Sequence, residues 1–218
     1  MNYGKKSVKQ KKKALQSTSS KLGRKCLLTF SKVLLLCVIA IGIIGICAGL
    51  GVFKGIIDSA PTITLEDATP TRYSSFIYDS KGNQMAKLIA EDSNRVPVTM
   101  DQIPTDLANA FVAIEDERFY QHNGIDIMGI LRAGGFKRQE GASTITQQLI
   151  KNTVLTTWTQ EKTLGERIKR KVQEQYLAIQ LEKDTNDKSK ILEQYMNTIN
   201  LGQNTLGVQA ASKRYFNK

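Results

Sequence analysis

An uncharged run of 21 residues, Val33–Phe53 (VLLLCVIAIGIIGICAGLGVF), most constrains how this chain folds. As a helix it would be about 31 Å long, enough to cross the hydrocarbon core of a bilayer. A cleaved signal peptide is the competing interpretation. Its apolar core is usually only about 7–15 residues long and is followed by a small-x-small cleavage site, which is not evident here. We therefore predict one uncleaved transmembrane helix.

The charge distribution orients this helix. Ten of the 31 Lys and Arg residues lie in residues 1–32, which contain no acidic residue, so the net charge of +11 belongs mainly to this tail. Basic residues beside an apolar segment favour a cytoplasmic N-terminus and an exported remainder, rather than nucleic-acid binding.

Cys26, Cys37 and Cys47 lie in or beside the apolar run. The exported part therefore has no cysteine for disulfides or thiolate chemistry, and a single histidine, His122, argues against a His-rich metal site.

The organisation follows from these features. We predict a basic cytoplasmic tail (1–32), the anchor (33–53), a linker broken by Pro61 and Pro70 (54–71) and one domain (72–218). Ser75–Tyr78 and Met85–Ile89 flank a turn and predict a short β-hairpin. Helical periodicity appears in the segments 105–116, 126–133, 143–152, 162–183 and 187–200. The predicted fold class is mainly α with a small β element.

Glu115 follows an apolar pattern of helical spacing, for which Leu107, Ala110, Phe111 and Ile114 are the predicted buried face. It would lie where apolar packing meets solvent. Partial desolvation there makes a carboxylate a better proton acceptor. A solvated helix end is the alternative for this residue taken alone.

The stretch 141–152, GASTITQQLIKN, places hydroxyl, amide and ammonium groups at a helix start that Ser143 is predicted to cap. Such groups suit an anionic or sugar-phosphate ligand. An ordinary polar helix start is equally compatible with the pattern.

Glu174 lies in a third helical stretch, Thr163–Lys183. We expect it at the edge of the buried surface, beside an apolar stripe formed by Leu164, Ile168, Val172, Tyr176 and Ile179. Arg170 and Lys171 precede it by four and three residues and are expected to pair with it. A weak salt bridge on a solvated face is the alternative.

Two carboxylates on different helices, with cations nearby, suggest sugar chemistry. A glycosidase needs one carboxyl group as an acid for a poor leaving group. A diphosphate is already a stable anion and requires Lys, Arg or a divalent metal instead. The cations near Glu174 therefore favour glycosyl transfer from a diphosphate donor, and the membrane anchor favours a lipid-linked one.

The chain resembles the family 51 peptidoglycan glycosyltransferases, found in class A penicillin-binding proteins and in monofunctional enzymes. Glu115–Gly124 matches E-D-x-x-F-x-x-H-x-G, and Gly141–Asn152 matches G-x-S-T-I-T-Q-Q-L-x-K-N. Arg170–Glu174 fits R-K-x-x-E. Lys190–Asn197 fits a segment that usually ends Y-L-N, and Gly207–Lys218 fits G-x-x-x-A-A-x-x-Y-F-x-K. These five motifs lie in order within residues 72–218.

The resemblance implies a lysozyme-like α lobe with a small membrane-proximal jaw. It implies polymerisation of lipid II into glycan strands, with inversion and with undecaprenyl diphosphate as the leaving group. Glu115 would be the catalytic base. Glu174 would be the second catalytic carboxylate, assisting the diphosphate or a divalent cation (Mg or Mn), whose protein ligands are unknown. The implied substrate-binding residues are Thr146, Gln148, Lys151, Arg170, Lys171 and Lys218, and whether Lys162 or Arg167 also faces the donor is open.

The resemblance also implies partners and a location. These are lipid II, the growing glycan strand, the outer face of the bacterial cytoplasmic membrane, and other proteins of cell-wall synthesis, cell shape and division. No S-x-x-K motif of a penicillin-sensitive transpeptidase occurs in the 218 residues. Because relatives continue beyond the fifth motif, we expect this chain to be the N-terminal portion of a longer bifunctional protein. The alternatives are a catalytically inactive membrane-anchored fragment or scaffold and, more remotely, a lytic hydrolase.

Overall fold

The computed structural model describes residues 4–15, 18–90, 93–133 and 141–217. Within these ranges the chain is mainly helical with one two-stranded antiparallel sheet, which confirms the predicted fold class. The chain divides into two units, residues 1–55 and 56–218. The elements are α1 (Lys5–Leu15), α2 (Thr18–Asp58), β1 (Ser75–Tyr78), β2 (Gln84–Leu88), α3 (Thr105–Glu115), α4 (Ile127–Ala133), α5 (Ile145–Thr153), α6 (Leu164–Thr185), α7 (Lys188–Thr198) and α8 (Val208–Phe216), with 3-10 turns at Met100–Gln102 and Thr156–Gln160.

Helix α2 contains the predicted anchor. Its stretch Leu22–Asp58 is long and apolar enough to cross a membrane, and it is the only such helix in the described ranges. The helix extends past Phe53 to Asp58, so the predicted linker begins as helix. The basic tail also contains helix α1, which was not predicted, although Lys, Gln, Ala and Leu are good helix formers.

The rest of the predicted linker packs into the second unit. Ile63 and Ala68 are buried in its hydrophobic core. Between them, Asp67 accepts hydrogen bonds from the backbone and the hydroxyl of Thr64, at 2.8 and 2.9 Å. The segment is therefore a structural part of the unit, although its proline and polar content resembles that of a linker.

The core is built around α5, which contacts both α6 and α7. Five of its nine residues are buried: Ile145, Thr146, Gln147, Leu149 and Ile150. The fully buried large side chains include Phe119, Ile145, Leu149, Ile150, Leu177, Leu181, Ile191, Leu192, Tyr195 and Met196.

The predicted buried face of α3 is wrong. Ala108 and Val112 are the buried residues, whereas Leu107 is exposed and 82% of the surface of Ile114 is accessible. Phe111 is half-buried and packs against the core. The buried face of α3 thus uses small side chains, and Ile114 extends from the helix end into a cavity described below.

The predicted apolar stripe of α6 is also wrong. Leu164, Ile168 and Ile179 are exposed. The buried face carries Gln173, Glu174, Leu177, Ala178, Leu181 and Glu182. Polar side chains can be buried when partners satisfy them, so apolar periodicity alone located the wrong face of this helix.

Helix ends follow capping chemistry. Thr163 and Glu166 form a capping box at the start of α6, and Asn186 ends that helix in the left-handed conformation with φ 47°. Asp187 then caps α7 by accepting hydrogen bonds from the backbone of Ser189 and Lys190. This pair of caps sets the turn between the two helices that flank α5.

Candidate active site

The two carboxylates singled out in the sequence line one cavity of about 290 Å³. Glu115 is the last residue of α3, and Glu174 lies within α6. The cavity is also lined by Gln148, Lys151 and Lys171, which come from α5 and α6. Three helices therefore bring together two acids, an amide and two ammonium groups.

Glu115 is half-buried and held by an amide. The side-chain nitrogen Nε2 of Gln148 donates a hydrogen bond to Oε2 of Glu115, at 2.9 Å. The other side of the Gln148 amide, Oε1, accepts a hydrogen bond from the hydroxyl of Tyr195 at 3.3 Å. Within the described residues, this hydrogen bond engages Oε2 of Glu115 and not Oε1.

Glu174 has the opposite environment, because it is fully buried and contacted by two cations. Nη1 of Arg170 donates a hydrogen bond to Oε1 of Glu174. The ammonium of Lys171 lies 2.7 Å from Oε2 as an ion pair without the angle of a directed hydrogen bond. These contacts confirm the predicted pairing and make it a buried ion cluster rather than a bridge on a solvated face.

Arg170 is shared with a second carboxylate. Its Nε donates to Oε1 of Glu161 at 2.6 Å, so one guanidinium joins Glu161 to Glu174. Burial alone would lower the pKa of Arg170, but its hydrogen bonds to Glu161 and Glu174 outweigh that effect and raise the pKa. Arg170 is therefore a fixed positive charge beside the cavity.

Helix α5 is positioned from its first residue. Thr144, rather than the predicted Ser143, is its N-cap, and the Thr144 hydroxyl accepts from the backbone of Gln147. Ser143 instead accepts a hydrogen bond from Lys171 at 2.8 Å. The backbone N–H of Ile145 donates to Asp116 at 3.0 Å, so the residue after Glu115 also holds the helix that carries Gln148.

The same corner contains the single histidine. Nε2 of His122 lies 2.9 Å from Oδ1 of Asp116, and both side chains are nearly buried. The carbonyl of Gly124 accepts hydrogen bonds from Thr144 and Gln147, at 2.8 and 3.2 Å. The loop after α3 is thereby fastened to the start of α5, and His122 has a place in this framework rather than in the cavity.

Lys151 reaches the cavity from the last turns of α5. Its ammonium lies 4.6 Å from the centre of the Trp158 ring, in a cation–π contact. Trp158 belongs to the 3-10 turn after α5. Lys151 is therefore oriented by a ring, whereas Lys171 is held by a carboxylate and a hydroxyl.

Thr146, another predicted ligand residue, does not line this cavity. Thr146 is fully buried and donates to Oε1 of Glu182 at 2.5 Å, and Lys188 lies 2.5 Å from the other oxygen of Glu182. The structure thus places Thr146 in a core polar cluster, away from the cavity. Lys218 is outside the described residues. Lys162 and Arg167 are exposed and are not among the residues that line the cavity.

A second cavity, of about 360 Å³, is also lined by Glu115. It is lined by charged residues that follow α3 and by part of α4, including Glu117, Arg118, Asp126 and Arg132. Arg118 donates through Nε to Oδ1 of Asp126 at 3.1 Å, and its Nη2 contacts Oδ2. Glu115 thus lines both cavities.

Three residues of this arrangement were not predicted from the sequence: Asp116 as the anchor of α5, Glu161 as the second partner of Arg170, and Tyr195. Asp116 and Tyr195 lie inside the motifs quoted above, but Glu161 lies outside them. Among the described residues, no group of three or more His, Cys, Asp or Glu side chains is placed to hold a metal ion.

Comparison with known proteins gives a family match. A family model described as transglycosylase matches residues 81–218. Penicillin-binding protein 1A of Clostridium botulinum (strain Hall) is 47% identical over 177 residues, covering 77% of this chain and 20% of the relative. The protein of the same name from Clostridium perfringens (strain ATCC 13124) is 39% identical over 219 residues, covering 96% of this chain and 25% of the relative.

A third relative, penicillin-binding protein 1A of Streptococcus oralis, is 38% identical over 204 residues, covering 90% of this chain and 30% of the relative. The chain therefore spans about a fifth to a third of the length of these relatives. The matched segment contains the whole of the cavity that Glu115 and Glu174 line.

Proposed function

Because the chain belongs to the transglycosylase family, we propose that it polymerises lipid II into glycan strands of peptidoglycan, with undecaprenyl diphosphate as the leaving group. The observation that carries this proposal is the cavity in which Glu115 and Glu174 meet Lys151 and Lys171. One acid is free to act on an incoming hydroxyl, and the cations suit a departing diphosphate.

Glu115 is the proposed base. Its Oε1, which is outside the Gln148 hydrogen bond, takes the proton of the acceptor sugar's 4-hydroxyl as that oxygen attacks the anomeric carbon of the donor. The bond from the anomeric carbon to the diphosphate oxygen breaks, and its electron pair leaves with the diphosphate. Attack opposite the leaving group inverts the anomeric centre.

The cations are the proposed partners of the diphosphate. Lys151 and Lys171 line the cavity directly, and Arg170 is fixed behind it by Glu161 and Glu174. Positive groups that are already in place stabilise the developing negative charge without reorganisation. Glu174 keeps Arg170 and Lys171 positioned, which is a different role from that of Glu115.

A divalent cation is a further proposal at Glu174. Mg²⁺ is commonly held by one or two carboxylates together with substrate phosphates. Glu174 is fully buried and both of its oxygens already contact Arg170 and Lys171, so an ion would have to displace Lys171 from Oε2. The ion would add positive charge at the leaving group. Activity measured in EDTA, with Mg²⁺ or Mn²⁺ restored, tests this: loss and recovery support the ion, and full activity in EDTA excludes it.

The location is proposed from α2 and the basic tail. With α2 as a membrane span and the lysines at its N-terminal side in the cytoplasm, the catalytic unit would face the outer surface, where a lipid-linked donor is presented. Other proteins of cell-wall synthesis and division are proposed partners. The relatives are several times longer than this chain, and we propose that some of these partners bind to the additional segments of the longer proteins.

An inactive membrane-anchored fragment that binds lipid-linked substrate is the alternative, because the chain spans only 20–30% of the relatives' length. Incubating the chain in detergent micelles with fluorescent lipid II separates the two. Glycan polymer on a gel supports the transferase, and binding without polymer supports the inactive fragment. Release of sugar fragments from finished glycan would instead indicate a hydrolase.

A further inference from the structure

Tyr195 is connected to Glu115 through a single amide. The Tyr195 hydroxyl donates to Oε1 of Gln148 at 3.3 Å, and Nε2 of Gln148 donates to Oε2 of Glu115 at 2.9 Å. The three residues belong to α7, α5 and α3. A residue that does not line the cavity is therefore two hydrogen bonds away from the proposed base.

Tyr195 is rigidly placed. Its side chain is fully buried, and its ring packs edge-to-face on Phe111 with the ring centres 6.2 Å apart and the planes at 79°. Phe111 lies one helical turn before Glu115 on α3, so the same helix supports the tyrosine ring and presents the carboxylate. The hydroxyl consequently has a fixed position relative to Glu115.

The charge of Glu115 determines which groups donate and which accept in these two hydrogen bonds. An ionised Glu115 can only accept, so Gln148 must present its NH₂ group to it and its carbonyl oxygen to Tyr195. The tyrosine must then donate. Burial, and then the nearby charge of Glu115, raise the pKa of Tyr195, which keeps its proton available for that hydrogen bond.

We propose that Tyr195 is a positioning residue for Glu115, acting by fixing the amide of Gln148 so that one carboxylate oxygen is held and the other faces the acceptor. The inference rests on the proposed function of Glu115 as the base. It also changes the expected role of Gln148, because an amide bonded to both Tyr195 and Glu115 orients the base rather than binding the diphosphate.

The test compares two tyrosine variants that each lose one hydroxyl–amide hydrogen bond. Tyr195→Phe removes the bond to Gln148. Tyr176→Phe, the matched control, removes an exposed bond of 2.8 Å from the amide of Gln180 on α6. With fluorescent lipid II in detergent, we expect Tyr195→Phe to lower kcat about tenfold and to leave KM within about twofold, since one neutral hydrogen bond is lost. A kcat equal to that of Tyr176→Phe would overturn the inference.

A double-variant cycle tests whether Tyr195 acts through Gln148. If it does, Gln148→Ala combined with Tyr195→Phe is no slower than Gln148→Ala alone. Losses that multiply would show that Tyr195 acts by another route and would overturn the inference.

An NMR measurement that does not depend on enzyme activity distinguishes failure of this inference from failure of the proposed function. The side-chain amide NMR signals of Gln148, identified by their absence in Gln148→Ala, should shift in Tyr195→Phe and stay in place in Tyr176→Phe. Unchanged Gln148 signals in Tyr195→Phe refute the positioning contact even if the wild-type chain polymerises lipid II. A wild-type chain without polymerase activity refutes the function instead, whatever the NMR signals show.

Discussion

Glu115 and Glu174 line the same cavity, although one ends α3 and the other is buried in α6. Glu115 is half-exposed and has an amide as its hydrogen-bond partner, whereas Glu174 is fully buried between Arg170 and Lys171. Two carboxylates in such different surroundings are suited to different tasks. The first is placed to act on a substrate hydroxyl, and the second holds Arg170 and Lys171 in place.

Replacing Glu174 should cost stability as well as activity. Glu174→Gln leaves Arg170 with Glu161 as its remaining carboxylate partner and removes the buried counter-charge of Lys171, so we expect a loss of about 2–4 kcal/mol in the free energy of unfolding. Asp184→Asn, an exposed position on the same helix, is the control. Chemical denaturation followed by circular dichroism measures both. Equal stability of the two variants would contradict the buried ion cluster.

Gly124 should not tolerate a side chain. Its φ is +84°, and a Cβ there would lie 2.5 Å from the backbone carbonyl carbon of Ala178. Gly124→Ala should therefore destabilise the fold by about 2–4 kcal/mol and loosen the loop that holds α5. Gly82→Ala has the same φ but open space around it, so its cost should be only about 1 kcal/mol. Melting temperatures that fall equally would exclude the steric clash.

The ion pair between Arg118 and Asp126 predicts a pH-dependent stability. The Arg118 hydrogen bond lowers the pKa of Asp126 below its ordinary 3.8, against an opposing effect of burial. A lowered folded-state pKa contributes stability above the ordinary value, which is lost as the pH falls through the folded-state pKa. Asp126→Asn should thus melt lower than wild type at pH 7, and the difference should shrink below pH 3.8.

Exposed Asp101 supplies the comparison for that series. Asp101→Asn also removes one carboxylate and should melt close to wild type at pH 7. A melting difference between Asp126→Asn and wild type that stays constant from neutral to acidic pH would show that the Asp126 carboxylate does not stabilise the fold through its charge.

A Thr146 variant tests whether this residue stabilises the core or binds the substrate. Thr146→Val leaves Glu182 with one donor fewer in the core, so we expect a loss of about 1–2 kcal/mol with an unchanged KM for lipid II. Thr153→Val, on the same helix, removes a hydroxyl that donates to the Leu149 carbonyl and should cost less. A raised KM at unchanged stability would instead support the substrate-binding role that the motif implies.

Local signals in the sequence were sufficient for several features. The apolar run predicted a membrane-spanning helix, capping residues and periodicity predicted α3 to α7, and helical spacing predicted the pairing of Glu174 with Arg170 and Lys171. Contacts between distant segments were not predictable in this way. Glu161 meets Arg170 and Tyr195 meets Gln148 only because the fold brings their segments together.

The buried faces were the main failure. In α6 the fold buries Gln173, Glu174 and Glu182, each with polar partners, and leaves Ile168 exposed. Gln173, for example, donates to the Ser59 hydroxyl at 3.1 Å. The burial of Thr146 was not predicted either, since α5 is covered on two sides and the direction of each side chain depends on its neighbours. Hydrophobic periodicity cannot predict the burial of polar side chains that have hydrogen-bond or ion-pair partners inside the fold.

The most direct measurement is the initial rate of glycan polymerisation from fluorescent lipid II by Glu115→Gln, compared with Asp106→Asn at the exposed start of the same helix. Glutamine keeps the shape of the side chain but cannot take the proton, so the rate should fall by about 10²–10⁴-fold while the melting temperature and lipid II binding stay near wild type. Asp106→Asn should polymerise normally. Polymerisation by Glu115→Gln at close to the wild-type rate would contradict the assignment of Glu115 as the base.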